Sequence, residues 1–266
     1  MKRRRVKAIL LSSIFILLLG VFLFSGWKLL DYFLESREGK NAYSKLSELA
    51  VSPVTQPEPV TRPHNEPSAP MPTAPTEDKA PVYVDFEALW QVNRELVAWV
   101  HIPDTIIDYP IAQSQDNDYY LHRLPDGTYN GAGTLFLDYR CSGDFTDFVS
   151  VIYGHNMKNN TMFGQLPSYK KQSFYEQHPV LYLLTPEGDY RVELFAGYVT
   201  PSDSQTYRLS YTEEEKAIFI QQAKNASDFQ ADVEVTPADR LLILSTCAYE
   251  YENARYVVIG VLRPLP

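Results

Sequence analysis

The hydrophobic pattern changes character several times along the chain. Residues 8–27 carry no charged side chain, and about 20 residues at ~1.5 Å each make a helix of ~30 Å, the thickness of a bilayer's hydrocarbon core. The pattern therefore predicts a membrane-spanning helix, and the helix-forming residues of 29–49 predict its continuation beyond the membrane before it frays. Over 51–81 the composition turns to Pro, Thr, Glu and Ser with no helical or strand period, which predicts an extended spacer unable to bury enough surface to fold. A folded domain is expected from about Val82. Its first element is a short helix, because Phe86, Leu89 and Trp90 fall at i, i+3 and i+4.

Beyond that helix the period shortens. Apolar runs at 99–102, 134–137, 149–153, 180–184 and 190–196 are separated by Pro, Gly, Asn and Asp, the pattern of a β barrel or sandwich. One helical stretch interrupts them. Thr212 followed by Glu213, Glu214 and Glu215 reads as an N-cap with an acidic first turn, and Phe219, Ala223 and Ala226 follow at i, i+4 and i+7. The last hydrophobic block, 240–263, holds two strands. Leu241-Leu242-Ile243-Leu244 runs into Ser245-Thr246-Cys247, and Tyr256-Val257-Val258-Ile259 follows a polar loop with Arg255 at its mouth. Two antiparallel neighbours joined by a short loop would put thiol and guanidinium on one rim.

Composition adds compartment and partners. At 266 residues, 45% hydrophobic and 13% aromatic, the chain can bury one sizeable core. The net charge of −9 is uneven: Lys2, Arg3, Arg4, Arg5 and Lys7 contribute +5 and leave −14 on the remainder. That balance argues against nucleic-acid binding by the main domain, and the basic N-terminus argues for a cytoplasmic start and an extracellular remainder. Cleavage of the apolar segment as a signal peptide after Gly26 or Ser25 would put Phe24 or Leu23 where a small residue belongs, which favours an uncleaved anchor.

The candidate chemistry sits at strand ends. Cys247 alone reads equally well as a small buried hydrophobe. His155, however, emerges just past the run 149–153, beyond Gly154, and Arg255 opens the strand after Cys247. A Cys, a His and an Arg at strand termini are the parts of thiol acyl transfer, supplying nucleophile, acid/base and oxyanion donor, and the cation favours thiolate over thiol. Arg255 also reads as a surface residue paired with Glu250 or Glu252. A disulfide from Cys141 to Cys247 would consume the nucleophile, so Cys141 reads as free or partly buried. His64, His101, His122 and His178 read as structural or surface residues. Neither a metal site nor a phosphate-binding glycine loop follows from these residues, and no cofactor is expected.

These residues also carry a family resemblance. Ile243-Leu244-Ser245-Thr246-Cys247 resembles the Thr-Leu-x-Thr-Cys signature of sortases, transpeptidases that fix surface proteins to the Gram-positive cell wall; only Ile243 departs. Tyr153-Gly154-His155-Asn156 resembles the histidine motif of class B sortases, and Arg255 their catalytic arginine. The similarity continues upstream through Trp99-Val100-His101-Ile102, Ile107-Asp108-Tyr109-Pro110, Asn117-Asp118-Tyr119-Tyr120-Leu121 and Gly133-Thr134-Leu135-Phe136-Leu137-Asp138. It implies a mainly β fold: a sortase-type closed β barrel with an N-terminal helix and a long helix inserted between the sixth and seventh strands, preceded by a transmembrane helix. The implied organisation is a basic cytoplasmic segment (1–7), a membrane anchor (8–27), an extracellular stalk and Pro-rich spacer (28–81) and a catalytic domain (82–266).

The resemblance further implies that His155, Cys247 and Arg255 are catalytic. It implies that Asn117, Leu121, Tyr153, Ser245 and Thr246 line the substrate groove, where each suits packing or strand-edge polarity equally well. Ala248 stands where some relatives carry an acidic side chain. The implied reaction cleaves a C-terminal sorting motif after Thr and joins the surface protein, through a thioacyl-enzyme, to an amine of a peptidoglycan precursor or a pilin. Two rival readings stay open: a non-catalytic membrane-anchored binding domain and a hydrolytic cysteine peptidase.

Overall fold

The computed structural model describes residues 2–54 and 79–266; most of the Pro-rich spacer expected over 51–81 lies outside the described residues. Helix α1 (Lys2–Ala50) is continuous and is long and apolar enough, by length and composition, to cross a membrane. It does not fray beyond the apolar stretch, as its sequence suggests it would. From Glu35 onward it docks on the rest of the molecule. Asn130 Nδ2 donates to the Glu35 carbonyl at 2.9 Å, the Gly131 amide donates to Glu35 Oε1 at 2.6 Å, and the Tyr43 hydroxyl donates to the Gly133 carbonyl. The Tyr43 ring meets Tyr109 edge-on at 5.2 Å, and Leu46 and Ala50 are buried. Tertiary packing of one face sustains what propensity alone would let unwind.

Strand β1 (Val51–Pro53) pairs antiparallel with β2 (Val82–Val84), and the Val54 amide donates to the Pro81 carbonyl at 2.9 Å. Helix α2 (Phe86–Val92) follows, capped by the Asp85 side chain, which accepts from the Ala88 amide at 3.0 Å.

Eight strands close a barrel: β3 (Leu96–His101), β4 (Asp108–Ala112), β5 (Leu135–Leu137), β6 (Val149–Tyr153), β7 (Val180–Leu184), β8 (Tyr190–Pro201), β9 (Leu241–Cys247) and β10 (Ala254–Pro264). Their order around the barrel is β10-β8-β7-β3-β4-β5-β6-β9. The pairs β4–β5 and β6–β9 are parallel and the others antiparallel. The runs predicted at 149–153 and 180–184 are the observed β6 and β7. Strand β4 has no counterpart among the predicted runs, because Pro110 within it cannot donate to a ladder. It is tolerated because β5 pairs only with Ile111 and Ala112, leaving the proline opposite Trp99 of β3 alone.

Alternation along the strands sorts two cores. Leu242, Leu244, Tyr256 and Val258 point into the barrel, whereas Leu241, Ile243, Val257 and Ile259 point outward. A short helix α3 (Gln172–Gln177) precedes β7. Helix α4 (Glu213–Ala226) lies between β8 and β9, the sixth and seventh barrel strands, and covers the outward face with Phe219, Ile220 and Ala223. Ile220, not Ala226, completes its buried stripe. Its N-terminus is a capping box: Thr212 Oγ1 accepts from the Glu215 amide at 3.3 Å and the Glu215 carboxylate accepts from the Thr212 amide at 2.8 Å.

Candidate active site

Antiparallel pairing places Arg255 directly opposite Cys247 across β9 and β10. Directly opposed residues share a face, with Cβ atoms ~4.5–5.5 Å apart. Period two puts that face outward, with Ile243 and Ser245 behind Cys247 and Val257 behind Arg255. Cys247 is half-buried, while Leu241 through Thr246 are buried. Thr200 of β8 pairs with Arg255 from the other side and continues this floor.

The histidine loop is fixed to the same strand end. Parallel pairing aligns Tyr153 with Ser245, and the chain beyond stays attached: the Gly154 amide donates to the Ser245 carbonyl at 3.1 Å, Thr246 Oγ1 to the Gly154 carbonyl at 2.8 Å, and Asn156 Nδ2 to the Cys247 carbonyl at 2.7 Å. The backbone of His155, between these ties, is thereby held at the Cys247 end of β9. Glycine is required at 154, since a Cβ there would meet the Leu135 side chain and lie 2.7 Å from Phe163 Cδ2. His155 Nε2 lies 2.7 Å from the Leu121 carbonyl, which can only accept, so Nε2 carries a proton and Nδ1 is the nitrogen left to gain or release one. The exposed His122 ring stacks on His155 at 5.8 Å.

The remaining candidates divide by what their side chains touch. Leu121 offers its carbonyl to His155, and Asn117 Oδ1 accepts from the Tyr139 amide at 3.0 Å on the rim. The Tyr153 hydroxyl donates to Asp138 Oδ2 at 3.0 Å. Ser245 and Thr246 are buried, at 1% and 2% exposure, and their hydroxyls are engaged by Tyr207 and the Gly154 carbonyl. Their side chains brace the strand end.

Several supporting residues have no role assigned to them by the sequence, Asp138 among them although it ends the resembling run 133–138. Tyr207 shares a 2.8 Å hydrogen bond with Ser245; burial raises its phenol to about 12, with Arg255 pulling it down and Cys247 pushing it up. Asp138 is fully buried beneath Arg140, which reaches its oxygens at 2.7 and 2.9 Å. Burial would raise that carboxyl, yet the Arg140 side chain and amide and the Tyr153 hydroxyl hold it below the usual range. Asn156 was visible as the last residue of the histidine motif, though without an assigned role. Cys141 and Cys247 are both free thiols. Cys141 is buried, which pushes its thiol up to about 11. Among the described residues no cluster of His, Cys, Asp and Glu could hold a metal ion.

Known proteins resemble this chain in sequence and fold. Residues 100–263 match the family described as the sortase domain. The chain is 35% identical over 261 residues to sortase B of Listeria monocytogenes, covering 97% of this chain and 98% of that protein. It is 27% identical to sortase B of Staphylococcus aureus over 94% and 95% of the two chains. Among solved structures, a Staphylococcus aureus sortase B–substrate complex superposes with a TM-score of 0.65 at 30% identity, over 68% of this chain and 85% of that one. Sortase B from Bacillus anthracis in complex with AAEK1 superposes with a TM-score of 0.69 at 29% identity, over 87% and 99%.

Proposed function

The chain belongs to the sortase family and is a cysteine transpeptidase of the sortase B kind, and from that premise we propose that it cleaves a C-terminal sorting motif after Thr and transfers the surface protein to an amine of a peptidoglycan precursor or a pilin. The observation that carries the assignment of roles is the pairing of Cys247 with Arg255 beside a histidine loop tied to the same strand end. In this reading the Cys247 thiolate attacks the carbonyl carbon of that Thr and Arg255 donates to the oxyanion. His155 protonates the departing amine as the C–N bond breaks, leaving a thioester. An incoming amine then attacks the thioester, His155 takes its proton, and the thiolate leaves.

The substrate seen with the Staphylococcus aureus enzyme supports a sorting peptide as the first partner. In this reading Leu121, Asn117 and Tyr153 would line the groove for that peptide, Leu121 through its carbonyl contact with His155. The organisation we propose keeps residues 1–7 cytoplasmic, 8–27 in the cell membrane as a single-pass anchor, 28–81 as an extracellular segment whose helical part is docked from Glu35 onward, and 82–266 as the catalytic domain. The apolar first part of α1 and the basic residues before it support this topology. Mass spectrometry of products from a sorting-motif peptide, with and without an amine acceptor, tests the reading. Amine-dependent ligation product is expected, and hydrolysis unaffected by acceptor would leave a peptidase instead.

A further inference from the structure

Exposure along α1 changes abruptly at one residue. Every described side chain from 11 to 34 stands exposed, and Glu35 is the first to be engaged by the barrel. The exposed stretch outlasts the uncharged segment: Leu29, Leu30, Phe33 and Leu34 are 57–61% exposed, and nothing among the described residues covers them. Such a collar is not stable against water. Residues 8–34 span about 40 Å at ~1.5 Å each, against ~30 Å for a hydrocarbon core and ~40–45 Å with headgroups. The collar, residues 28–34, rises ~10 Å, enough to cross one headgroup layer of ~5–7 Å, so that Glu35 emerges just beyond it.

Composition and contacts agree with this depth. Trp27 and Tyr32 are aromatic residues of the kind that settle at headgroup level, and Lys28 can snorkel outward. The Glu35 carboxylate is bound to the Gly131 amide and so turned towards the barrel. The barrel segments that meet α1 closest to the collar are 130–131, and Asn159, whose Nδ2 lies 3.4 Å from Ser36 Oγ. These are the loops that follow His122 and His155.

We propose that residues 28–34 lie in the outer headgroup layer and that docked α1 seats the barrel on the bilayer with loops 130–133 and 157–161 lowermost. The partner this face fits is a lipid surface, and the rim beside His155 meets its reactants while they are still attached to that surface. The inference rests on the membrane-anchor reading above.

The test uses the full chain in vesicles, with a fluorophore at Phe33→Cys or Asn41→Cys in a Cys247→Ala background and nitroxide on the lipid headgroups. The expected result is at least ~twofold stronger quenching at 33 than at 41, about eight residues or ~12 Å further along the helix. Equal quenching at both positions in a chain that resists carbonate extraction overturns this proposal alone; release by carbonate overturns the anchor reading with it. A probe at 33 shielded from water but not quenched means a second copy covers the collar, and the proposal fails. In a second arm, Leu29→Ser/Leu30→Ser/Phe33→Ser/Leu34→Ser is expected to lower transfer to a vesicle-tethered amine by about fivefold or more, while acylation by a soluble peptide holds within about twofold. An unchanged ratio between the two reactions overturns it.

Discussion

Arg255 and Cys247 are direct partners across the β9–β10 ladder, so strand pairing itself, and no flexible loop, sets the separation of their Cβ atoms, while Arg255 Nη1 donates to the Ala254 carbonyl at 3.0 Å. A fork of two N–H donors at that position matches an oxyanion, whereas Lys offers a compact point charge. Arg255→Lys is therefore expected to slow single-turnover acylation by roughly a hundred- to a thousandfold, about 3–4 kcal/mol, with an unchanged Tm. Wild-type acylation by this variant would reduce Arg255 to a structural or merely electrostatic residue.

The two thiols should separate cleanly. Cys247 is half-exposed beside Arg255, while burial pushes the Cys141 thiol up to about 11. Near neutral pH, iodoacetamide should alkylate Cys247 and spare Cys141, read by peptide mass mapping. Cys247→Ala should abolish acylation in a folded protein, and Cys141→Ala should retain most activity. Preferential labelling of Cys141 would contradict the burial argument.

His155 acts in both half-reactions under the proposed mechanism, so His155→Ala should impair acylation and aminolysis together, each by roughly a hundredfold or more. Asn156→Ala removes the tie to the Cys247 carbonyl and should lower kcat with little change in KM for the peptide. A pure KM effect would place Asn156 in substrate binding.

Tyr207 and Ser245 provide a test of the strand brace. Tyr207→Phe leaves the buried Ser245 hydroxyl without its 2.8 Å partner, a loss of about 1–3 kcal/mol in stability. Adding Ser245→Ala removes the orphan, so the double variant should be more stable than the sum of the single losses predicts. Strict additivity in urea unfolding would mean the hydroxyls are not coupled.

Asp138 gives a signed pH dependence. Its carboxyl is depressed in the folded state despite burial, so the stability it contributes is fully present above the unfolded carboxylate value of ~3.9 and is lost as pH falls through the lower folded value. The Tm difference between wild type and Arg140→Met should hold from neutral pH to about 4 and shrink below it. A difference that grows on acidification would reverse the sign of the assignment.

Local pattern made the reactive residues legible because each stands where an apolar run stops: His155 past β6, Cys247 at the end of β9, Arg255 near the start of β10. The runs of β6 and β7 were complete in the sequence for the same reason. Strand β4 was not, since Pro110 breaks the signal that its neighbour's tolerance restores. The docking of α1 and the Tyr207 support depend on partners far along the chain, and the Asp138–Arg140 pair, though only two residues apart, is a polar contact; no hydrophobic periodicity reports either kind. Ser245 and Thr246 belong to the signature motif, yet alternation and close packing turn their hydroxyls towards protein partners.

The short β1–β2 ladder holds the two ends of the proline-rich stretch side by side. Val54 and Pro81 are hydrogen-bonded to one another, so the reach from anchor to barrel is set by α1 and this ladder. Each doubling of such a closed loop costs only ~0.6 kcal/mol. Evolution can therefore lengthen, shorten or decorate that stretch almost freely, whereas a single-residue insertion in α1 between the collar and Glu35 would rotate the whole barrel by about 100° about the helix axis.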